Sequence, residues 1–250
     1  MQRYFLKNQP EDKGIIRLFG DDYHHIVRVM RGTIGDQFSV VMPDGKTALC
    51  AISTISQESV EATIIALIEE NRELPINVTI ASGLLKGDKF DIVIQKGTEL
   101  GAAAFLPFSS KRSIVKLDEK KGNKRTERWQ KIAKEAAEQS ERSQIPDCLH
   151  PVTFHDLLSM SSTFEKKIVA YEQLGRNNQQ DAFVSMLNEL NKGDSLLIVF
   201  GPEGGFSEDE IEKLEAKNFT LCGLGPRILR AETAPLYALS AISFYFELLR

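Results

Sequence analysis

The sequence predicts an α/β fold in two parts: a small β-barrel-like domain over residues 1–72 and a mostly parallel sheet covered by helices over residues 73–250. Three observations predict it. The first seventy or so residues are dominated by β-branched runs separated by turn signals. Beyond Pro75, short apolar runs alternate with segments whose apolar residues recur at helical spacing. Between the two, residues 69–75 are charged, lack a core pattern and end in proline, which reads as a linker.

Taken in order, residues 14–20 form a short apolar strand. Tyr23, Ile26, Val27 and Met30 recur at helical spacing and mark one helical piece. Val40-Val41-Met42-Pro43-Asp44-Gly45-Lys46 is a hairpin signal, because Asp-Gly supplies the positive φ angles of a tight turn. Residues 51–55 and 60–68 are further strands. In the second part, residues 76–85 read as a strand. Phe90, Val93, Ile94, Gly97 and Leu100 then give a helical stripe. Residues 105–108 are a short strand, and Trp129, Ile132, Ala133, Ala136 and Ala137 mark another helix. Residues 167–171, 196–200 and 220–224 read as buried strands with helices between them, and 235–249 as the last helix. Ligands of such sheets sit beyond the carboxyl ends of the strands.

Composition excludes several classes. With 42% hydrophobic and 26% charged residues the chain is of ordinary globular type. The apolar run 234–246 is broken by Ser240 and Ser243 and is too short to span a bilayer, so no membrane partner is expected. The first seven residues, Met-Gln-Arg-Tyr-Phe-Leu-Lys, lack an apolar h-region, which predicts a cytoplasmic protein without a secretory signal. Cys50, Cys148 and Cys222 are far apart and odd in number, so they read as buried thiols. His24, His25, His150 and His155 lack metal-ligand spacing with acids or cysteines, and no metal site is expected. Net charge is −4, yet residues 111–131 hold nine Lys or Arg against three acids, a local +6. That segment reads as a solvated face, a loop or a nucleic-acid contact.

Two loops carry the chemistry, each directly after a buried strand. The first is Gly201-Pro202-Glu203-Gly204-Gly205-Phe206. Its glycines permit close approach of backbone to a ligand. Ser207 and Glu210 then form a capping box that starts a helix. A simple β–α turn explains the cap and one glycine, but not the whole set. The second loop, Leu224-Gly225-Pro226-Arg227-Ile228-Leu229-Arg230-Ala231-Glu232-Thr233-Ala234, ends in a plausible N-cap at Thr233 with Pro235 in the first helical turn. Arg227 and Arg230 are left over, as structural ion-pair partners or as functional groups. Neither loop is a known phosphate motif: no lysine follows the first as a Walker loop requires, and Ile228 stands at the third glycine position of a dinucleotide fingerprint.

Gly-Pro-Glu-Gly-Gly-Phe-Ser-x-x-Glu at 201–210, followed by Leu-Gly-Pro-Arg-Ile-Leu-Arg-x-Glu-Thr-Ala at 224–234, resembles the SPOUT-class RNA methyltransferases, specifically the bacterial 16S ribosomal RNA uridine-N3 methyltransferases. Arg3-Tyr4-Phe5, His24 to Arg31, Lys86-Gly87-Asp88-Lys89 and Gln95 to Gly101 extend the likeness over the whole chain. The resemblance implies a PUA-like, RNA-binding β-barrel and a SPOUT domain whose chain end is threaded into a deep trefoil knot, an exception to the rule against threading. It implies a homodimer through the knotted domain, with the last helix in the interface. The cofactor it implies is S-adenosylmethionine, and the substrate is 16S rRNA of the small ribosomal subunit. The cofactor residues it implies are Leu174, Gly201, Pro202, Glu203, Gly204, Gly205, Leu224, Gly225, Ile228, Leu229 and Arg230. Of these, Leu174, Leu224, Ile228 and Leu229 would hold the adenine, and the glycines would allow close approach. Arg230 would stabilise negative charge developing on the uracil. Glu203 would orient the substrate or handle its proton. Arg3, Arg28, Arg31, Lys86, Lys89 and Arg112 would contact RNA. Two other readings share these features: a SPOUT enzyme acting on another RNA nucleotide, and a non-catalytic RNA-binding protein of ribosome assembly.

Overall fold

The computed structural model describes residues 1–10, 14–113, 119–172 and 181–249. It divides into two compact units, residues 1–73 with 137–144, and residues 74–136 with 145–250.

The first unit is built on five strands: β1 (Arg3–Phe5), β2 (Ile15–Phe19), β3 (Gln37–Val41), β4 (Thr47–Ile55) and β5 (Ser59–Ile68). They form one sheet in the order β1-β3-β4-β5-β2. All neighbours are antiparallel except β1, which runs parallel to β3. The β3–β4 hairpin turns at Gly45, whose φ of 80° only glycine adopts without strain. Alternation places Ile16 and Leu18 inward and Ile15, Arg17 and Phe19 outward on β2. The core under the sheet contains Tyr4, Ile26, Phe38, Val40 and Val60. The helical piece is α1 (Gly20–His24), which runs on into a π-helical turn at His25–Val29.

Here the structure corrects the reading of Arg3 as an RNA contact. Arg3 is 3% exposed. Its guanidinium donates to Ser39 Oγ and to the Arg142 carbonyl, both at 3.2 Å, and also to the Glu141 carbonyl and the Glu70 carboxylate. Four of its five N–H donors are committed within the unit and the side chain is buried, so it is not placed to meet a phosphate. Arg3 instead ties β1 to the 137–144 segment.

The strands of the second unit are β6 (Asn77–Gly83), β7 (Ala104–Ser109), β8 (Asp147–Cys148), β9 (Val152–Thr153), β10 (Lys166–Ala170), β11 (Ser195–Phe200) and β12 (Thr220–Cys222). They form a parallel sheet in the order β12-β10-β11-β6-β7-β8, with β9 also paired to β7. Strand β11 shows why the sheet is buried on both faces. Leu196, Ile198 and Phe200 point into one apolar cluster, and Leu197 and Val199 into another. The first cluster is closed by α2 (Lys89–Glu99), α3 (Glu119–Gln139), α5 (Asp181–Glu189) and α7 (Thr233–Ser243), through residues such as Phe90, Trp129, Met186 and Leu239. The second is closed by α4 (Phe154–Met160) and α6 (Glu208–Ala216), through Leu157 and Leu214. Three cysteines are free and buried, and burial pushes each thiol up to about 12.

Helix α6 begins as its capping box requires: Ser207 Oγ accepts from the Glu210 N–H at 3.3 Å and the Glu210 carboxylate accepts from the Ser207 N–H at 2.9 Å. Helix α7 differs from expectation. Its N-cap is Glu232, in a helical conformation and without a side-chain cap bond, and Thr233 is already the first helical residue. The turn is closed by backbone instead, with the Thr233 and Ala234 N–H groups donating to the Arg230 carbonyl at 2.9 and 3.0 Å. No helix among the described residues is long and apolar enough to cross a membrane.

Candidate functional site

The carboxyl ends of β10, β11 and β12 open into a cavity of about 630 Å³. That is ample for a nucleoside-sized ligand. Both motif loops line it. From the loop after β11 come Gly201, Pro202, Glu203, Gly204 and Gly205, and from the loop after β12 come Leu224, Gly225, Ile228, Leu229 and Arg230. Tyr171 and Glu172, which follow β10, complete the third side. The sheet order explains the convergence, because β10 is paired on one side with β11 and on the other with β12. Leu174 lies outside the described residues.

The glycines have protein-based reasons to be glycine. A Cβ on Gly201 would stand 3.2 Å from the Gly205 backbone and the Phe206 ring, and one on Gly204 would stand 3.1 Å from Arg112 Cβ. Gly205 has φ 65°. Close approach to a ligand is therefore not their sole constraint, because at 201 and 204 the loop also packs on itself and on Arg112. Strand β6 also abuts the loop, since a Cβ on Gly83 would fall 2.6 Å from Pro202 N and Cδ.

The charged groups fall into distinct places. Glu203 Oε1 accepts from the Lys86 N–H at 3.2 Å and from Lys89 Nζ at 3.1 Å. Burial pulls the Glu203 carboxyl upward, but hydrogen bonds from backbone N–H groups and from Lys89 outweigh this and hold it below the usual carboxylate range. It is an acceptor for two donors of the β6–α2 segment. Lys89 lines the cavity wall, and its hydrogen bond to Glu203 raises its ammonium above the usual lysine value. Glu232 also lines the cavity, and its Oε2 is enclosed without a hydrogen bond, 3.5 Å from Lys89 Nζ. Arg112 lies at the rim, with Nη1 donating to the Gly204 carbonyl at 3.2 Å. Arg227 and Arg230 line the cavity and are exposed. Lys86 is exposed beside the glycine loop, and Arg28 and Arg31 are exposed in the first unit. Among the described residues no group of three His, Cys, Asp or Glu could hold a metal.

Several members of this site are not legible in the sequence. Glu232 reads there as part of a helix start and Tyr171 as the end of a strand, whereas the family resemblance does imply the loop 172–174 that follows it. Gly83 does carry a signal, as a glycine ending a buried strand. Glu210 holds a second role beyond its capping box: its Oε1 accepts from the Lys111 N–H at 2.8 Å, which anchors the segment leading to Arg112.

Comparison with known proteins places this geometry in context. Residues 72–243 match an RNA methyltransferase domain, and residues 18–65 match an RNA methyltransferase PUA domain. Ribosomal RNA small subunit methyltransferase E of Bacillus subtilis is 53% identical over 253 aligned residues, covering 100% of this chain and 99% of the relative. The protein of the same name from Synechocystis is 35% identical, covering 98% of this chain and 78% of the relative. Among solved structures, the Neisseria gonorrhoeae ribosomal RNA small subunit methyltransferase E bound to S-adenosyl methionine superposes with a TM-score of 0.85 at 27% identity, over 98% of both chains.

Proposed function

The chain belongs to the ribosomal RNA small subunit methyltransferase E family, and from that premise we propose that it transfers a methyl group from S-adenosylmethionine to N3 of a uridine in 16S rRNA. The observation that carries this reading is the cavity beyond β10, β11 and β12, where both sequence motifs meet. Its residues fit the cofactor. Leu224, Ile228 and Leu229 offer an apolar wall for an adenine, and the loop backbones offer polar groups for its edge. Glu203 and Glu232 add carboxylate acceptors to the same wall, with Lys89 between them. When bound, the cofactor supplies an electrophilic methyl group on sulfur.

The chain's own task is then positioning and charge control. N3 of uridine must lose its proton, leaving negative charge shared by the flanking carbonyls. Arg230 stands on the cavity wall to stabilise that charge. Glu203, held by the Lys86 N–H and Lys89, is placed to orient the substrate or handle its proton. Exposed Arg28, Arg31, Lys86 and Arg112 supply phosphate contacts. The reading includes a homodimer through a knotted domain, supported by the exposed Tyr237, Phe244, Leu248 and Leu249 at the end of the chain. Its place of action would be the cytoplasm, where ribosomal subunits are assembled.

The test is mass mapping. Purified protein, S-adenosylmethionine and small subunits lacking the modification are incubated, and the rRNA is digested and sequenced by mass. The expected product is N3-methyluridine at one position. Methylation elsewhere, on another base or a ribose, would move the target. Failure to bind the cofactor in calorimetry would favour a non-catalytic RNA-binding role.

A further inference from the structure

Lys89 opens α2 just after the turn that follows β6. Its Nζ stands 3.1 Å from Glu203 Oε1 and 3.5 Å from Glu232 Oε2. The two carboxylates come from different loops, one leaving β11 and the other leaving β12. Those strands are not neighbours, because β10 lies between them. The sheet ladder therefore does not tie the two loops to each other, and a side chain that reaches both does. The start of α2 is itself held: Arg128 of α3 reaches Asp91 at 2.5 Å and Asp88 at 3.4 Å, and Trp129 Nε1 donates to Asp91 at 3.0 Å. Lys89 is thus anchored at its base and paired with two carboxylates at its tip.

We propose that Lys89 is a positioning residue that latches the two cofactor loops together through Glu203 and Glu232, and is not a phosphate contact. This rests on the reading of the cavity as the cofactor site. An ammonium between two carboxylates is already neutralised, which leaves it little net attraction for a phosphate. Without it, two like charges face each other across the cavity and push the loops apart.

The experiment compares wild type, Lys89→Met, Lys89→Arg and Glu232→Gln. Calorimetry measures affinity for S-adenosylmethionine and for S-adenosylhomocysteine, whose sulfur is uncharged. Fluorescence anisotropy measures binding of a 16S rRNA fragment across a salt series, and thermal melts confirm folding. The latch predicts that Lys89→Met weakens both cofactor forms alike, by about tenfold. KM for the cofactor rises more than kcat falls, RNA affinity and its salt slope stay unchanged, and Lys89→Arg recovers most of the loss. Adding Glu232→Gln to Lys89→Met costs less than the two single losses together. Weaker RNA binding with a shallower salt slope and intact cofactor affinity would overturn the proposal. So would tighter binding of the sulfonium form alone, which would make Lys89 only a charge in the site. Should wild type itself bind neither cofactor form, the functional reading fails, a result distinct from wild type and Lys89→Met binding equally well.

Discussion

Arg230 lies on the cavity wall with its side chain exposed, while its backbone carbonyl closes the first turn of α7. The backbone role survives truncation of the side chain; the proposed charge-stabilising role does not. Arg230→Ala should lower the single-turnover methylation rate by about 10²–10³-fold while leaving cofactor affinity within about twofold. An unchanged rate at saturating cofactor would remove Arg230 from the chemistry. Arg3 teaches the opposite lesson. Its residue type and motif context suit RNA, but burial and four bonded partners within its own unit assign it to structure. Residue type is visible in the sequence, and burial is not. Glu210 gives a third case. Its capping partner three residues away is a local pattern, whereas its bond to the Lys111 N–H joins positions 99 residues apart and has no sequence signature.

At the level of elements, the strands and helices with strong periodicity are legible, because their side chains share one environment over several turns or pleats. The stripe Phe90, Val93, Ile94 and Gly97 is the buried face of α2. The capping box of α6 is legible for the same reason, being a purely local set of hydrogen bonds. The start of α7 is not. Thr233 is a good cap by type, yet the chain enters the helix one residue earlier and the backbone satisfies the turn. Close approach between elements is also hidden. Strand β6 meets the glycine loop at Gly83, where an added Cβ would lie 2.6 Å from the Pro202 ring and backbone nitrogen. Backbone must therefore move to accept it. Gly83→Ala should destabilise the fold by about 1–3 kcal/mol and weaken cofactor binding, read by thermal melts and calorimetry. Wild-type values in both would show that the loop has slack there.

At the level of the whole molecule, an acidic chain that acts on RNA must concentrate its basic groups. The exposed Arg28 and Arg31 belong to the first unit and the cavity belongs to the second. Charge reversal by Arg28→Glu should weaken RNA binding several-fold and reduce the slope of log affinity against log salt by about 0.7–0.9 for each phosphate no longer neutralised. Cofactor affinity should hold. A fall in both would mean that the two activities are not divided between the units. The chain end presents a second collective feature. Leu248 and Leu249 are 73% and 65% exposed, an apolar surface that a partner subunit would cover. On the proposed homodimer, Leu248→Asp should shift sedimentation from dimer to monomer without changing the far-ultraviolet circular dichroism; a dimeric variant would place the interface elsewhere.

The α/β class, most of the elements and the two loops that line the cavity are readable from residue order. Those features rest on periodicity, turn chemistry and contiguous motifs, all of which act over a few residues. Only three-dimensional packing shows that Arg3 is buried, that Gly201 and Gly204 lie close to the loop's own backbone and to Arg112, and that Lys89 stands between Glu203 and Glu232. Each of those facts depends on which strands are neighbours, as when β10 separates β11 from β12. Strand order is set by the sum of many weak apolar contacts between distant segments, and no short stretch of sequence encodes that sum.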